Sequence, residues 1–445
     1  MNYLRLFAIL ILAGTVQMQA QWSGSLSLGS GYDDNAFSNA TALASSFGFA
    51  SVELGYYPEE PNLALSYDGM LATYGDYPER RYSTHQLVGS YIFTYSGNSM
   101  LYTNGGFGVR LDAPEYEYYD YDQAYITLGS RHYIGEIMNL RAGYRFRYRQ
   151  YKNFNDMSYG EHIGWLGVNT SFESRTSVTI RAELGAKQYS PIDNEYTAAP
   201  TLPQLVLDGG GGNGGGGSGG GGNGGGGNGS GGEGGSGNGG EGGSGNGNGG
   251  SGMGSGNGMH VGETTVGSGG LHSTQFITYD NTTTSQLRLA ATVGQSITET
   301  TGISLNYVKR INLDDRSRAV VGGTVDFIGE EELFDDPYSY ESDEATLKIT
   351  QVINERMTLK VAGFGMVKGY SYPSDLSLLD LPGVPLREDR RFGGWAMLTY
   401  QVPGSWLLFS GLDVGVSYVY TRNESNTNWY DYSANDISIQ VGTDF

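Results

Sequence analysis

The stretch "LRAGYRFRYRQY", residues 140–151, sets Arg141, Arg145, Arg147 and Arg149 in one phase and Leu140, Ala142, Tyr144, Phe146 and Tyr148 in the other. Guanidinium groups in such a line could bind or steer anions, because each presents a rigid fork of donors to a carboxylate or phosphate. Arg181 and Lys187 share the polar phase of the segment 176–189. Two fates are open to these six cations. They pair with acids such as Glu161 and Glu183 and stiffen a wet interior, or they line a pore wall and favour anions there.

Other chemistry is weaker. The acidic segments "EEELFDDPYSYESDE" (330–344) and "DAPEYEYYDYD" (112–122) offer oxygen ligands suited to calcium, but neither has the spacing of a calcium loop, so both are read as solvated external surface. "GYDDNAFSN" (31–39) reads as an Asx turn closing a strand. His85, His132, His162, His260 and His272 form no i, i+4 pair, and no metal site is expected. A formal G-x-S-x-G at 216–220 lies in a glycine tract, without the strand and helix that a nucleophile elbow needs. No catalytic set can be nominated, so neither an enzyme nor a cofactor is expected. The basic residues are too few and too opposed by acids for nucleic acid.

The elements that must position the arginines are strands. Apolar residues recur with a period of two from Leu26 onward, and helical periods are hard to find. In "SVTIRAEL", Val178, Ile180, Ala182 and Leu184 oppose Thr179, Arg181 and Glu183. "LDVGVSYVY" and the closing "ISIQVGTDF" alternate in the same way. A soluble sandwich and a membrane barrel share this pattern. Strands of a dozen residues favour the barrel, since a tilted crossing of the hydrocarbon layer takes about 9–11. Aromatics toward strand ends, at Tyr56 and Tyr57, at Tyr91, Phe93 and Tyr95, and at Tyr148 and Tyr151, suit interfacial girdles.

The chain has 445 residues, no cysteine, 73 glycines, 34 tyrosines and a formal net charge of -21. Without cysteine there is no disulfide framework and no thiolate zinc site. Residues 1–20, "MNYLRLFAILILAGTVQMQA", have the layout of a secretory signal peptide with cleavage near Ala20. Beyond them no apolar run reaches the length of a membrane helix. Residues 21–207 and 271–445 read as two halves of a barrel, separated at 208–270 by a Gly-rich flexible external loop.

Strand count follows from parity. Nine strands precede Ser190, with tight turns at "PEEP" (58–61), "SGNS" (96–99), "GEIMN" (135–139) and "ESRTS" (173–177). Counting back from Phe445, "PGS" (403–405), "NER" (354–356) and "LDDRS" (313–317) are read as periplasmic turns, and eight strands follow residue 283. With "STQFITYD" (273–280) the total is 18, and it is 16 if two weak strands are loops.

These features resemble outer-membrane β-barrel proteins of Gram-negative bacteria, porin-like in particular. The final strand, with Ile437, Ile439, Val441 and Phe445 in phase, is similar to the C-terminal signal that the barrel assembly machinery recognises. "SGSLSLGSGYDDNAF" resembles the opening strand of such barrels. The resemblance implies an all-β, transmembrane, antiparallel up-and-down barrel in outer-membrane lipid, reached by export. It implies a channel for passive passage of small solutes or ions. A non-conducting structural or surface-interaction barrel whose external loops bind a partner is the alternative, and whether that partner is another surface molecule or a second copy of the chain is left open.

Overall fold

The computed structural model describes residues 22–58, 62–191, 260–262, 275–278, 283–314, 319–321, 335–373, 383–404 and 411–445. In chain order the strands are β1 (Trp22–Asp33), β2 (Ser45–Tyr56), β3 (Leu63–Tyr74), β4 (Tyr82–Ser96), β5 (Ser99–Asp112), β6 (Tyr121–Ile134), β7 (Met138–Tyr151), β8 (Tyr159–Ser171), β9 (Thr176–Tyr189), β10 (His260–Gly262), β11 (Gln275–Thr278), β12 (Thr283–Ser296), β13 (Thr301–Asn312), β14 (Ala319–Val321), β15 (Tyr340–Asn354), β16 (Met357–Pro373), β17 (Leu386–Val402), β18 (Leu412–Ser425) and β19 (Tyr432–Asp444). Sixteen of them close into one antiparallel barrel. β10, β11 and β14 form a separate three-stranded sheet.

Closure is made by β1 against β19, from Ser25 opposite Asp444 to Asp33 opposite Asp436. Gly24 and Phe445 exchange backbone hydrogen bonds of 2.9 Å. The phenylalanine ring lies where a Cβ on Gly24 would stand, 2.3 Å from it, so this position has room only for glycine.

Alternation assigns the two faces. Leu87, Phe107, Leu128, Leu166, Ile180 and Leu305 project outward and are at least half exposed. So wide an apolar exterior requires an apolar medium around it. Its edges are marked by aromatics. At one end Trp22 packs on Tyr56 with ring centroids 4.8 Å apart, and Tyr91, Phe93 and Tyr95 point out. At the other, four tyrosine hydroxyls bond to outward partners on the next barrel strand: Tyr67 to His85, Tyr144 to His162, Tyr307 to Asp343 and Tyr418 to Asn435. Each partner stands three positions after its strand's first residue. From His85 to Tyr95, a rise of roughly 3.3 Å per residue at a tilt of about 40° spans about 25 Å, the height of a hydrocarbon band.

The barrel ends differ. One carries tight turns at 97–98, 135–137, 172–175, 297–300 and 355–356, with somewhat longer links at 57–62 and 403–411. The other carries the remaining connections, none shorter than six residues, and all the described 3-10 turns. Several of these connections pack inward. The 31–39 segment is an Asx turn, in which Asn35 N donates to Asp33 Oδ1 at 2.8 Å. Arg80 donates to Ala36 O at 2.7 Å and lies 4.4 Å from the Phe37 ring centroid.

The structure corrects several expectations. The barrel has 16 strands, the lower of the two counts. Among the described residues, segments 273–280 and 318–328 supply the short β11 and β14, which pair with each other in the separate sheet. Three or four residues cannot cross a layer of about 25 Å. Removing these two strands reverses the direction of β12 and β13, so "LDDRS" moves to the long-loop end, where Leu313 N donates to Ser285 O at 2.9 Å. The 112–122 segment is no plain solvated surface: Tyr116, Tyr118 and Tyr119 are buried, and burial pushes the Tyr116 phenol up to about 12. Tyr151 faces inward and is buried, so it belongs to no girdle. Residues 1–20 and the glycine tract lie outside the described residues, apart from 260–262 of the 208–270 segment, which form β10.

Candidate functional site: a charged inner wall

Register places the side chains opposite the outer apolar set on the inner face. On β7 these include Arg141, Arg145, Arg147 and Arg149, and on β9 they include Arg181 and Lys187. Their surroundings divide them. Arg145 and Arg147 both reach Glu161 of β8, at 3.4 and 3.0 Å. Arg181 lies 2.6 Å from Glu183, which also holds Arg288 of β12 at 2.9 Å. Arg141 donates to Asn139 Oδ1 at 2.9 Å. Arg145 and Arg181 keep side-chain exposures of 41% and 42%.

Arg149 and Lys187 are covered. Arg149 donates twice to Gln123 Oε1, at 3.0 and 2.8 Å, and sits 4.0 Å from the Tyr121 ring centroid. Lys187 is 1% exposed, 3.7 Å from the Tyr159 ring centroid and 2.5 Å from Asp336 Oδ2. The same arrangement recurs around the long-loop end. Arg110 stacks on Tyr82, Lys368 on Tyr340, and Arg387 between Tyr370 and Tyr430. Cations desolvated over aromatic faces gain about 2 kcal/mol or more each, which makes this a fastening belt and leaves those charges covered.

Asp336 belongs to a 3-10 turn, Pro337–Ser339, that docks against the inner wall. Its Oδ2 accepts from Lys187 Nζ and from the Tyr189 hydroxyl, both at 2.5 Å, while its Oδ1 accepts from Tyr338 N at 3.0 Å. Gln286 Nε2 donates to Pro337 O at 2.6 Å. Asp335 accepts from Lys368 and from the Tyr370 hydroxyl. Burial would raise the Asp335 carboxyl, but the Lys368, Arg391 and Arg387 charges outweigh it and hold the group well below the usual carboxylate range. The Tyr338 hydroxyl lies over Gly185, 2.2 Å from where a Cβ would stand. Burial, then the Glu161 and Asp336 charges, push that phenol far above its ordinary value. The sequence places Asp335 and Asp336 in a solvated acidic surface. They are in fact 4% and 2% exposed.

The facing arc is acidic. β19, β1, β2 and β3 contain no lysine or arginine, and their inner faces carry Asp436, Asp33, Glu53 and Asp68. Asp33 stands directly opposite Asp436, and Glu53 opposite Asp68. On the basic arc Arg131 stands opposite Arg141, and Arg288 opposite Arg310. Like charges directly opposed destabilise a sheet. The inner surface therefore carries its charge in segregated arcs at some cost to pairing.

Sequence reasoning passed over Arg288 and Arg310, although each stands in the polar phase of an alternating strand. Asp336 gave no such signal, because its partner Lys187 is 149 residues away. Among the described residues no three His, Asp or Glu side chains gather as a metal site would need.

The fold and inner face define a class, the closed 16-stranded barrel with an apolar exterior and a charged interior. No protein-family model matches the chain, and no curated protein matches it. Among solved structures it is similar to OccAB3 of Acinetobacter baumannii, at 10% identity and a TM-score of 0.46, with 96% of this chain and 100% of that one covered. It is also similar to OccK3 (OpdO) of Pseudomonas aeruginosa, at 9% identity, a TM-score of 0.45 and coverages of 98% and 99%. The outer membrane protein OprD of Pseudomonas aeruginosa is similar at 8% identity and a TM-score of 0.43, with coverages of 95% and 94%. The architecture rests on the strand pairing above.

Proposed function

We propose that the chain is a porin-like channel of a Gram-negative outer membrane, passing small solutes or ions passively with a bias toward anions. The observation that carries this reading is the pairing of an apolar outer face with an inner face rich in partly exposed arginines, among them Arg141, Arg145, Arg147 and Arg181. A sheet that only needed a core would not hold guanidiniums against water on its enclosed side. Export through a cleaved segment at 1–20 belongs to the same proposal. So does recognition of Ile437, Ile439, Val441 and Phe445 by the barrel assembly machinery; the first three are outward and exposed.

Liposome swelling tests it. Vesicles holding the purified protein swell in small sugars and faster in small organic anions than in cations of equal size. Impermeable vesicles containing folded barrel would overturn the channel. The inward-packed connections at 34–44, 113–120 and 335–339 favour a second reading, a closed barrel acting through its surface, and that outcome would select it.

A further inference from the structure

A cavity of about 360 Å³ lies between the inner face of β7, β8, β9, β12 and β13 and the docked turn. Arg145, Arg147, Arg288 and Arg310 line its wall, and Asp336, Pro337 and Tyr338 close it from the other side. Among the described lining residues cations outnumber acids, five to three. Glu161 binds both Arg145 and Arg147, and Glu183 binds Arg288 as well as Arg181, which stands outside the lining. Lys187 and Asp336 neutralise each other. Arg310 is itself paired with Glu344 at 3.3 Å and donates to Ser342 at 3.1 Å. Donor capacity is left over as well. The Arg145 Nε is buried with no hydrogen-bond partner among the described residues, an arrangement that is costly unless an acceptor completes it.

We propose that this cavity is a saturable binding site for a small oxyanion, a phosphate or a dicarboxylate. The proposal rests on the channel reading and goes beyond a general anion bias. A multi-oxygen anion can match several guanidinium forks bidentately, with paired oxygens that a spherical halide lacks. The volume falls at the small end of ligand pockets, so only a small solute fits. Gly185 supplies the room, since a side chain there would meet Tyr338. The docked turn matters because it adds a second wall to what would otherwise be the bare inner face.

The test is single-channel current of the purified full-length protein in potassium chloride, with inorganic phosphate or succinate added. The expected result is a current reduction that saturates with concentration for one or both anions, and the tighter blocker identifies the natural chemistry. Replacing Arg145 and Arg288 together by glutamine removes charge-assisted hydrogen bonds and raises the half-blocking concentration at least about tenfold. Lys348→Gln, on the inner face of β15 but outside the cavity, leaves it within about twofold. If the double variant does not fold, Arg288→Lys keeps the charge and loses the fork, and it must also weaken block. Unsaturating current, or equal block in the arginine variants, would overturn the site while leaving the channel intact. A silent barrel would overturn the channel instead. Calorimetry with phosphate on the same folded protein then decides the site: heat lost in the arginine variants supports it, and no heat overturns it.

Discussion

Asp336→Asn is the most informative substitution in the inner wall. Asp336 and Lys187 have side-chain exposures of 1% and 2%, and their ion pair is what holds the 337–339 turn to β9. Removing one partner of a buried pair leaves the other charge uncompensated, at about 3–5 kcal/mol. At about 1.4 kcal/mol per tenfold, the docked turn loses a factor of roughly one hundred to several thousand relative to an undocked one. Undocking returns Lys187 to water and opens the cavity. Conductance therefore rises and the reversal potential in a salt gradient shifts toward stronger anion preference, while amide exchange at Tyr338 and Ser339 accelerates. The paired change Lys187→Met with Asp336→Leu replaces the ions by apolar groups, an exchange that buried pairs tolerate, and keeps the turn in place. A well-folded Asp336→Asn protein with native conductance, selectivity and exchange would refute the idea that this contact holds the turn.

Three further outcomes follow from the geometry. Leu347→Arg, outward at the middle of β15, destabilises the barrel by about 2–4 kcal/mol in a urea titration in vesicles, while Thr346→Arg, one residue away on the inner face, changes it little. Equal effects would contradict the assignment of faces. Exchanging Arg145 and Arg147 for glutamate moves the reversal potential toward cations, and an unmoved potential would show that the ladder does not face the conduction path. Asp335 is held below the usual carboxylate range, so the stability it contributes is complete above that range and is lost only as pH falls through its lower, folded value. Protease sensitivity of the 335–339 turn should therefore stay constant from pH 7 to pH 5, and a rise within that window would contradict the anchor.

The face assignment was legible in the sequence because side chains alternate along the regular part of a strand, and β7 has no register break, so "LRAGYRFRYRQY" states which residues share a surface. The number of strands was less legible. "STQFITYD" has strand composition, but whether a short segment joins a barrel depends on whether it can span the layer, and β11 instead pairs with β10 and β14. One such misreading of length reversed the direction of β12 and β13. Accessibility of the cations was the least legible property. Arg145 and Arg149 are alike in type and phase, yet one is shared at the edge of a cavity and the other is sealed under tyrosine. That difference comes from Gln123 and Tyr121 across the register and from turns that pack inward. Tyr151 shows the same limit, since a tyrosine near a strand end reads as a girdle residue until its phase is compared with that of Tyr148.

The central claim is that this charged interior is a water-filled path. Single-channel recording of the purified full-length protein across a planar bilayer, with reversal potentials in a potassium chloride gradient, tests it most directly. Discrete, stable conductance steps with a potential on the anion side are the predicted result. Folded, heat-modifiable protein that inserts and stays silent would contradict it.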